Sequence, residues 1–185
     1  MSEMDPKDEL ISLIPNLRGF AMSLARNRAT ADDVMQDTIM KAWASIDKFE
    51  RGSNMKAWLF TILRNTYYTR HRKMKREVAD VDGAFSSLLS VKPDHDGRLQ
   101  LRDFRSAFET LPLEQREALM LIGAQGFSYE EAAATTGVAV GTVKSRVNRA
   151  RAALVDMMDM DNSTDFDVTD GATMAVVQRE VILDT

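Results

Sequence analysis

The sequence predicts an all-α protein: two small helical domains joined by a flexible linker. Three observations predict this. Apolar residues recur at helical spacing across 6–77 and again across 99–157. Residues 78–98 (VADVDGAFSSLLSVKPDHDGR) hold Gly, Ser, Pro and several Asp with no sustained period. Gly126 to Leu154 reads as two short helices joined by a tight turn. The expected organisation is a first domain over 6–77, a linker over 78–98, a second domain over 99–157 and an acidic tail over 158–185.

Taken in order, residues 7–27 predict one helix, with Leu10, Leu13, Ile14, Leu17, Phe20, Met22 and Leu24 at helical spacing and a kink at Pro15. Residues 30–46 predict a second, capped by Thr30, with Asp32 and Asp33 at the positive end of its dipole. Ala31, Val34, Met35, Thr38 and Ala42 share one face. Asp33, Gln36, Asp37, Met40 and Trp43 share the other, a mixture that suits a protein contact as well as it suits Trp43 tucked under the next loop. After a loop over 47–54, a long helix is expected over roughly 54–76. Met55, Trp58, Leu59, Ile62 and Thr66 make its buried stripe, and Phe60, Arg64, Tyr67, Tyr68 and His71 sit opposite. It ends in the basic run Arg70, His71, Arg72, Lys73, Lys75, Arg76. Rings beside cations suit opened nucleic acid, because rings stack on bases and cations hold phosphates.

The 78–98 segment, fully extended, spans about 70 Å at about 3.3 Å per residue; Phe85, Leu88 and Leu89 suggest one docked turn within it. Residues 99–111 predict a helix with Leu101, Phe104, Phe108 and Leu111 inward, and Pro112 opens the next at its first turn. Then Ser128 and Glu131 form an S-x-x-E capping box, Ala132 to Ala134 allow close helix packing, and Gly137 turns the chain. In the last helix Val143, Val147, Ala150 and Leu154 fall on one stripe. Thr142, Ser145, Asn148 and Arg149 point the other way, flanked by Lys144, Arg146 and Arg151. A small-polar face with cationic flanks suits a helix in the DNA major groove: the centre meets base edges and the flanks meet phosphates. An amphipathic surface helix with a solvated basic face is the plainer alternative.

Composition narrows the class. The 185 residues carry a net charge of −4, which looks wrong for a DNA binder. Its distribution reverses that impression. Asp156 to Thr185 holds eight acidic residues and one basic, net −7, so residues 1–155 hold 23 basic and 20 acidic, net +3. There is no cysteine, hence no disulfide and no thiol chemistry. The polar start and the lack of a long apolar run point to a soluble cytoplasmic protein with no membrane span. His71 and His95 are isolated, and Asp94, His95 and Asp96 read as a turn before they read as a metal site. No phosphate loop and no nucleophile elbow appear, so neither an enzyme nor a cofactor is expected.

Three stretches in order carry a resemblance: ADDVMQDTIMKAW, MKAWLFTILRNTYYTRHRK, and LPLEQREALML followed by GFSYEEAAATTGVAVGTVKSRVNRAR. They closely resemble bacterial RNA polymerase sigma factors, of the compact extracytoplasmic-function (ECF) group with two conserved domains, regions 2 and 4. NTYYTRHRKMKREV and GVAVGTVKSRVNRAR look most like the alphaproteobacterial general-stress-response subgroup. The resemblance implies an initiation subunit that binds core polymerase and promoter DNA and helps open it. It implies that Asp33, Gln36, Asp37 and Met40 face the clamp helices of the largest polymerase subunit. It implies a pocket for a flipped −10 base from Phe49, Ser53 and Asn54 beside Asn65, with Arg64 and Tyr68 adjoining and Arg70, Arg72 and Lys73 on the strand backbone. Thr142, Lys144, Ser145, Arg146, Asn148 and Arg149 would read the −35 element. A small anti-sigma protein inserted between the domains is the implied regulator. Two departures stand out: Ala139 lies where many relatives cap the last helix with Ser or Thr, and Thr69 where many carry an acid.

Two other readings compete. A sigma-like decoy that only titrates an anti-sigma factor has no need of Lys144, Arg146, Arg149 and Arg151. A helix-turn-helix repressor has no need of the 30–46 surface or of the aromatic-basic helix.

Overall fold

The computed structural model describes residues 5–79 and 96–158, and among these every regular element is a helix. The expected linker turn at Phe85, Leu88 and Leu89, His95, and the acidic tail after Met158 lie outside the described residues.

The expected 7–27 helix is two helices, α1 (Pro6–Ser12) and α2 (Ile14–Ala25). Pro15 has no N–H to give to the preceding turn, so it breaks the helix and sits in the first turn of a new one. Asp5 caps α1 by accepting from the Lys7 N–H at 2.8 Å. Arg26 ends α2 in the left-handed region, φ 60°, which costs a non-glycine residue about 1 kcal/mol.

Helix α3 (Arg28–Ser45) begins earlier than expected, because Asn27 is the cap and Thr30 is the donor: the Thr30 N–H gives to Asn27 Oδ1 at 2.8 Å. A 3-10 turn at Ile46–Lys48 leads to α4 (Met55–Ala79). Asn54 Oδ1 accepts from the Ala57 N–H at 2.9 Å and so steadies the start of α4. Helices α2, α3 and α4 pack on one another and form the N-terminal unit.

The C-terminal unit holds α5 (Asp96–Thr110), α6 (Leu113–Leu119), α7 (Tyr129–Thr136) and α8 (Val140–Met157). Pro112 caps α6 rather than opening it, and α6 runs on through a wider π turn at Met120–Ala124. The capping box is made in full: the Glu131 N–H gives to Ser128 Oγ at 3.1 Å, and the Ser128 N–H gives to Glu131 Oε2 at 2.8 Å. Gly137, φ 71°, closes α7 by returning its N–H to the Ala133 carbonyl at 2.8 Å. Helix α8 lies across α6 and α7, and Val143, Val147, Ala150 and Leu154 are its buried stripe, as the periodicity predicted.

The two units share one continuous core. Helix α4 packs on α7 and α2 packs on α6, with Phe20, Phe60 and Phe127 stepping across at ring separations of 5.0 and 5.2 Å. This two-sided burial of α4 is the main departure from the sequence reading. Phe60 (0% exposed) and Tyr67 (7%) were expected on an open face and are core instead.

Candidate nucleic-acid interface

Three surfaces carry the sequence-predicted site residues. The first is on α8. With its apolar stripe buried, the helix turns Lys144, Asn148 and Arg149 fully outward and holds Thr142, Ser145 and Arg146 half-buried beside them. Arg149 gives a hydrogen bond to Ser145 Oγ at 3.1 Å, one turn back, and Lys144 stands over the Tyr129 ring at 5.5 Å. These contacts fix the two cations on the outward face without neutralising them. The start of α8 has no side-chain cap, since Ala139 has no oxygen to offer.

The second surface is the loop before α4 with the outer side of α4. Ser53 and Asn54 are exposed, and Phe49 is half-buried with its ring 5.2 Å from Trp58. Asn65 is exposed, and Arg64 lies over the Tyr68 ring at 4.5 Å. Arg72, Lys73, Lys75 and Arg76 stand exposed along the last described turns.

The third surface is on α3. Asp33, Gln36 and Met40 are exposed and Asp37 is half-buried. Met40 (64%), Trp43 (49%) and Ile11 of α1 (55%) are large apolar side chains left open. Lys7 stands over the Trp43 ring at 5.3 Å, so Trp43 is not tucked under the following loop.

What the sequence did not indicate is that the C-terminal unit covers part of the second surface with its own carboxylates. Arg64 Nε gives to Glu117 Oε1 at 2.7 Å, and the Tyr68 hydroxyl lies 3.4 Å from Glu117 Oε2. Asn54 Nδ2 gives to Glu131 Oε1 at 2.8 Å. Asn16 Nδ2 gives to Gln125 Oε1 at 3.1 Å, and Lys56 Nζ gives to the Gln125 carbonyl. Glu117 is fully buried; burial raises its carboxyl pKa, and the Arg64 guanidinium only partly offsets this. Burial likewise raises the Tyr68 phenol, with the Glu117 charge adding to it, and lowers the Lys56 ammonium. Glu131 is held below the usual carboxylate range, first by the Ser128 N–H it accepts.

A buried arginine completes the joint. Arg116 gives Nε to the Ser23 carbonyl at 2.9 Å and Nη2 to the Leu24 carbonyl at 3.1 Å. Its Nη1 gives to the carbonyls of Leu111 at 3.0 Å and Glu109 at 3.3 Å. Burial, with Arg26 nearby, lowers its pKa to about 10, so it stays charged at neutral pH. Glu117 and Arg116 had one sequence signal: adjacent charges at positions that abut the apolar run Ala118 to Ile122.

Among the described residues no group of three or more His, Cys, Asp or Glu side chains could hold a metal ion, and no helix is long and apolar enough to cross a membrane.

Comparison with known proteins gives concordant matches. The Sigma-70 region 2 family model matches residues 11–77, and the Sigma-70 region 4 model matches residues 101–154. An ECF RNA polymerase sigma factor, EcfG of Rhodopseudomonas palustris (strain TIE-1), is 50% identical over 160 residues, covering 86% of this chain and 88% of that protein. The ECF sigma factor SigC of Mycobacterium tuberculosis (strain CDC 1551 / Oshkosh) is 35% identical over 143 residues, 73% of this chain and 74% of that one. Among solved structures, the sigma factor RpoE of Bartonella quintana, crystallised with the anti-sigma factor NepR, superposes with a TM-score of 0.75. It is 53% identical, and the match covers 84% of this chain and 98% of that one.

Proposed function

Because the chain belongs to the sigma-70 family of RNA polymerase sigma factors, in its ECF group, we propose a division of its surfaces among polymerase, the −10 element and the −35 element. The exposed face of α8 reads the −35 element, with Thr142, Ser145, Asn148 and Arg149 over base edges and Lys144 and Arg146 on phosphates. The 49–54 loop with Asn65, Arg64 and Tyr68 receives a −10 base, and Arg70, Arg72 and Lys73 hold its strand. Asp33, Gln36, Asp37 and Met40 meet the clamp helices of the largest polymerase subunit. The domains are region 2 over 6–77 and region 4 over 99–157, with 158–185 as a tail; the linker expected over 78–98 is shorter at both ends, because α4 runs on to Ala79 and α5 begins at Asp96. This role needs no catalysis by the chain and no cofactor.

The observation that carries the DNA reading is α8 itself: a fully buried apolar stripe opposite outward Lys144, Asn148 and Arg149. A decoy for an anti-sigma factor would have no use for that outward face, which disfavours it. The relative crystallised with NepR supports a small anti-sigma partner here and a place in the general stress response.

The packed arrangement is a resting state in this reading. About 140 packed residues have a radius of gyration of about 14 Å, so a diameter on the order of 40 Å. Elements about 25 base pairs apart lie about 85 Å apart at about 3.4 Å per step. One packed body cannot touch both, so the units must part on the promoter. Run-off transcription with core polymerase on a sequenced promoter pool tests the function. Transcripts sharing paired −35 and −10 elements support it; no binding to core polymerase refutes it.

A further inference from the structure

Asp33 and Asp37 lie one helical turn apart on α3, where two like charges repel unless a cation sits between them. The cation is Arg70 from α4. Its Nη2 gives to Asp33 Oδ2 at 2.8 Å, and its Nη1 gives to Asp37 Oδ2 at 2.6 Å and to the Asp33 carbonyl at 3.3 Å. This fork joins two surfaces that the proposed function keeps apart. Arg70 heads the basic run assigned to the −10 strand, and the two carboxylates belong to the patch assigned to polymerase.

We propose that Arg70 is a placeholder: in the free chain it occupies the acidic pair that polymerase will take, and polymerase binding hands it to the promoter strand. The inference rests on the surface assignments made above. Three features of the geometry carry it. The fork points both terminal nitrogens at the carboxylates, so the same guanidinium cannot clamp a phosphate in that pose. The groups are open to solvent, with side chains 36% (Arg70), 58% (Asp33) and 42% (Asp37) exposed, so an incoming cation can reach them. Pairs this exposed are weak enough to exchange for an external partner, unlike the Arg64–Glu117 pair with its fully buried carboxylate. The neighbouring Asp32 is held separately by Arg18 at 3.2 Å and Arg28 at 3.6 Å, so it does not share the fork.

The handover makes promoter engagement conditional. Free chain offers the −10 strand a basic run without its leading arginine. Holoenzyme offers the whole run. A structural brace would act in the opposite sense on polymerase binding, and this gives the test its edge.

The test uses the full chain with Arg70→Gln and measures affinity for core polymerase by fluorescence anisotropy. It also measures affinity of free chain and of holoenzyme for a labelled pool of random single-stranded DNA. With its internal competitor gone, the acidic pair should bind core polymerase about 2- to 10-fold more tightly. Holoenzyme should lose about 3- to 10-fold in DNA affinity and the free chain should lose little. Weaker core binding at an unchanged melting temperature overturns the proposal, since Arg70 would then be orienting the carboxylates. An equal loss of DNA affinity in free chain and holoenzyme overturns it too. The double variant Asp33→Asn, Asp37→Asn tests the reading beneath: if it binds core polymerase as well as the parent, the polymerase assignment itself fails, and the handover with it. If that variant binds poorly while Arg70→Gln also binds poorly, only the handover fails.

Discussion

Replacing Glu117 with Ala should loosen the joint between the two units without unfolding either. The carboxylate is the acceptor for Arg64 at 2.7 Å and the partner of the Tyr68 hydroxyl at 3.4 Å, and its side chain has no exposure. Removing one partner of a fully buried ion pair costs about 3–5 kcal/mol. Two discounts apply. Arg64 keeps 19% exposure, so water recovers part of its charge. Burial already opposes the ionised Glu117, as its raised pKa records, so the intact pair is worth less than an ideal one. A loss of about 1–2 kcal/mol remains, which moves the docked-to-undocked ratio by about 5- to 30-fold. The chain has no cysteine, so Lys48→Cys and Ala152→Cys, both at exposed positions, can carry a fluorophore pair, one on each unit. Energy transfer followed through a urea titration gives the midpoint of undocking, and far-UV circular dichroism gives that of unfolding. With a slope of about 1 kcal/mol/M for a transition of this size, the transfer midpoint should fall by about 1–2 M while helicity holds. An unmoved midpoint would refute the reasoning, because the Glu117 contacts would then contribute nothing to docking.

The same carboxylate makes docking pH-dependent. Its pKa is raised in the docked state, so the share of docking stability linked to its proton is fully present below the unperturbed value of 4.5 and declines as pH rises through the raised value, leaving the contact with Arg64 above it. The transfer midpoint should decline over that window, and Glu117→Ala should remove the decline. Ser128→Ala should cost about 1 kcal/mol by opening the α7 capping box, read as a melting temperature lower by about 3 °C. Arg149→Ala should cost about 1–3 kcal/mol at a cognate −35 element in a gel-shift titration. An equal loss on random DNA would mean that Arg149 meets only phosphate.

Much of the fold was legible because local rules fixed it. The buried stripe of α8, the Ser128–Glu131 box and the turn at Gly137 each depend on residues within a few positions of one another, and each stands where the sequence put it. Local competition explains the small errors. Asn27 is the α3 cap in place of Thr30 because its Oδ1, one turn earlier, accepts from the Thr30 N–H itself, and Pro15 broke a helix that it was expected only to bend. The larger error concerned α4. A helical period reports one buried face, and α4 has two, because the C-terminal unit closes over Phe60 and Tyr67. The contacts that do this pair Arg64 with Glu117 and Asn54 with Glu131, across separations of 53 and 77 residues. No periodicity in the sequence registers such distances. The outward position of Lys144, Asn148 and Arg149 on α8 was therefore readable, while the half-burial of Thr142, Ser145 and Arg146 and the engagement of Asn54, Arg64 and Arg70 by acids of the same chain were not.

Arg116 bears on how the proposed parting of the units would run. Two of its partners, the Glu109 and Leu111 carbonyls, travel with it in the C-terminal unit, and two, the Ser23 and Leu24 carbonyls, stay behind near the end of α2. On parting, the guanidinium keeps half of its bonds and turns the rest to water. The carbonyls it leaves belong to the last turn of a helix, where solvent is the ordinary partner. At this contact neither half would be left with an unpaired buried group, so here separation is an exchange of hydrogen bonds with water, unlike the Arg64–Glu117 pair, which parting would split.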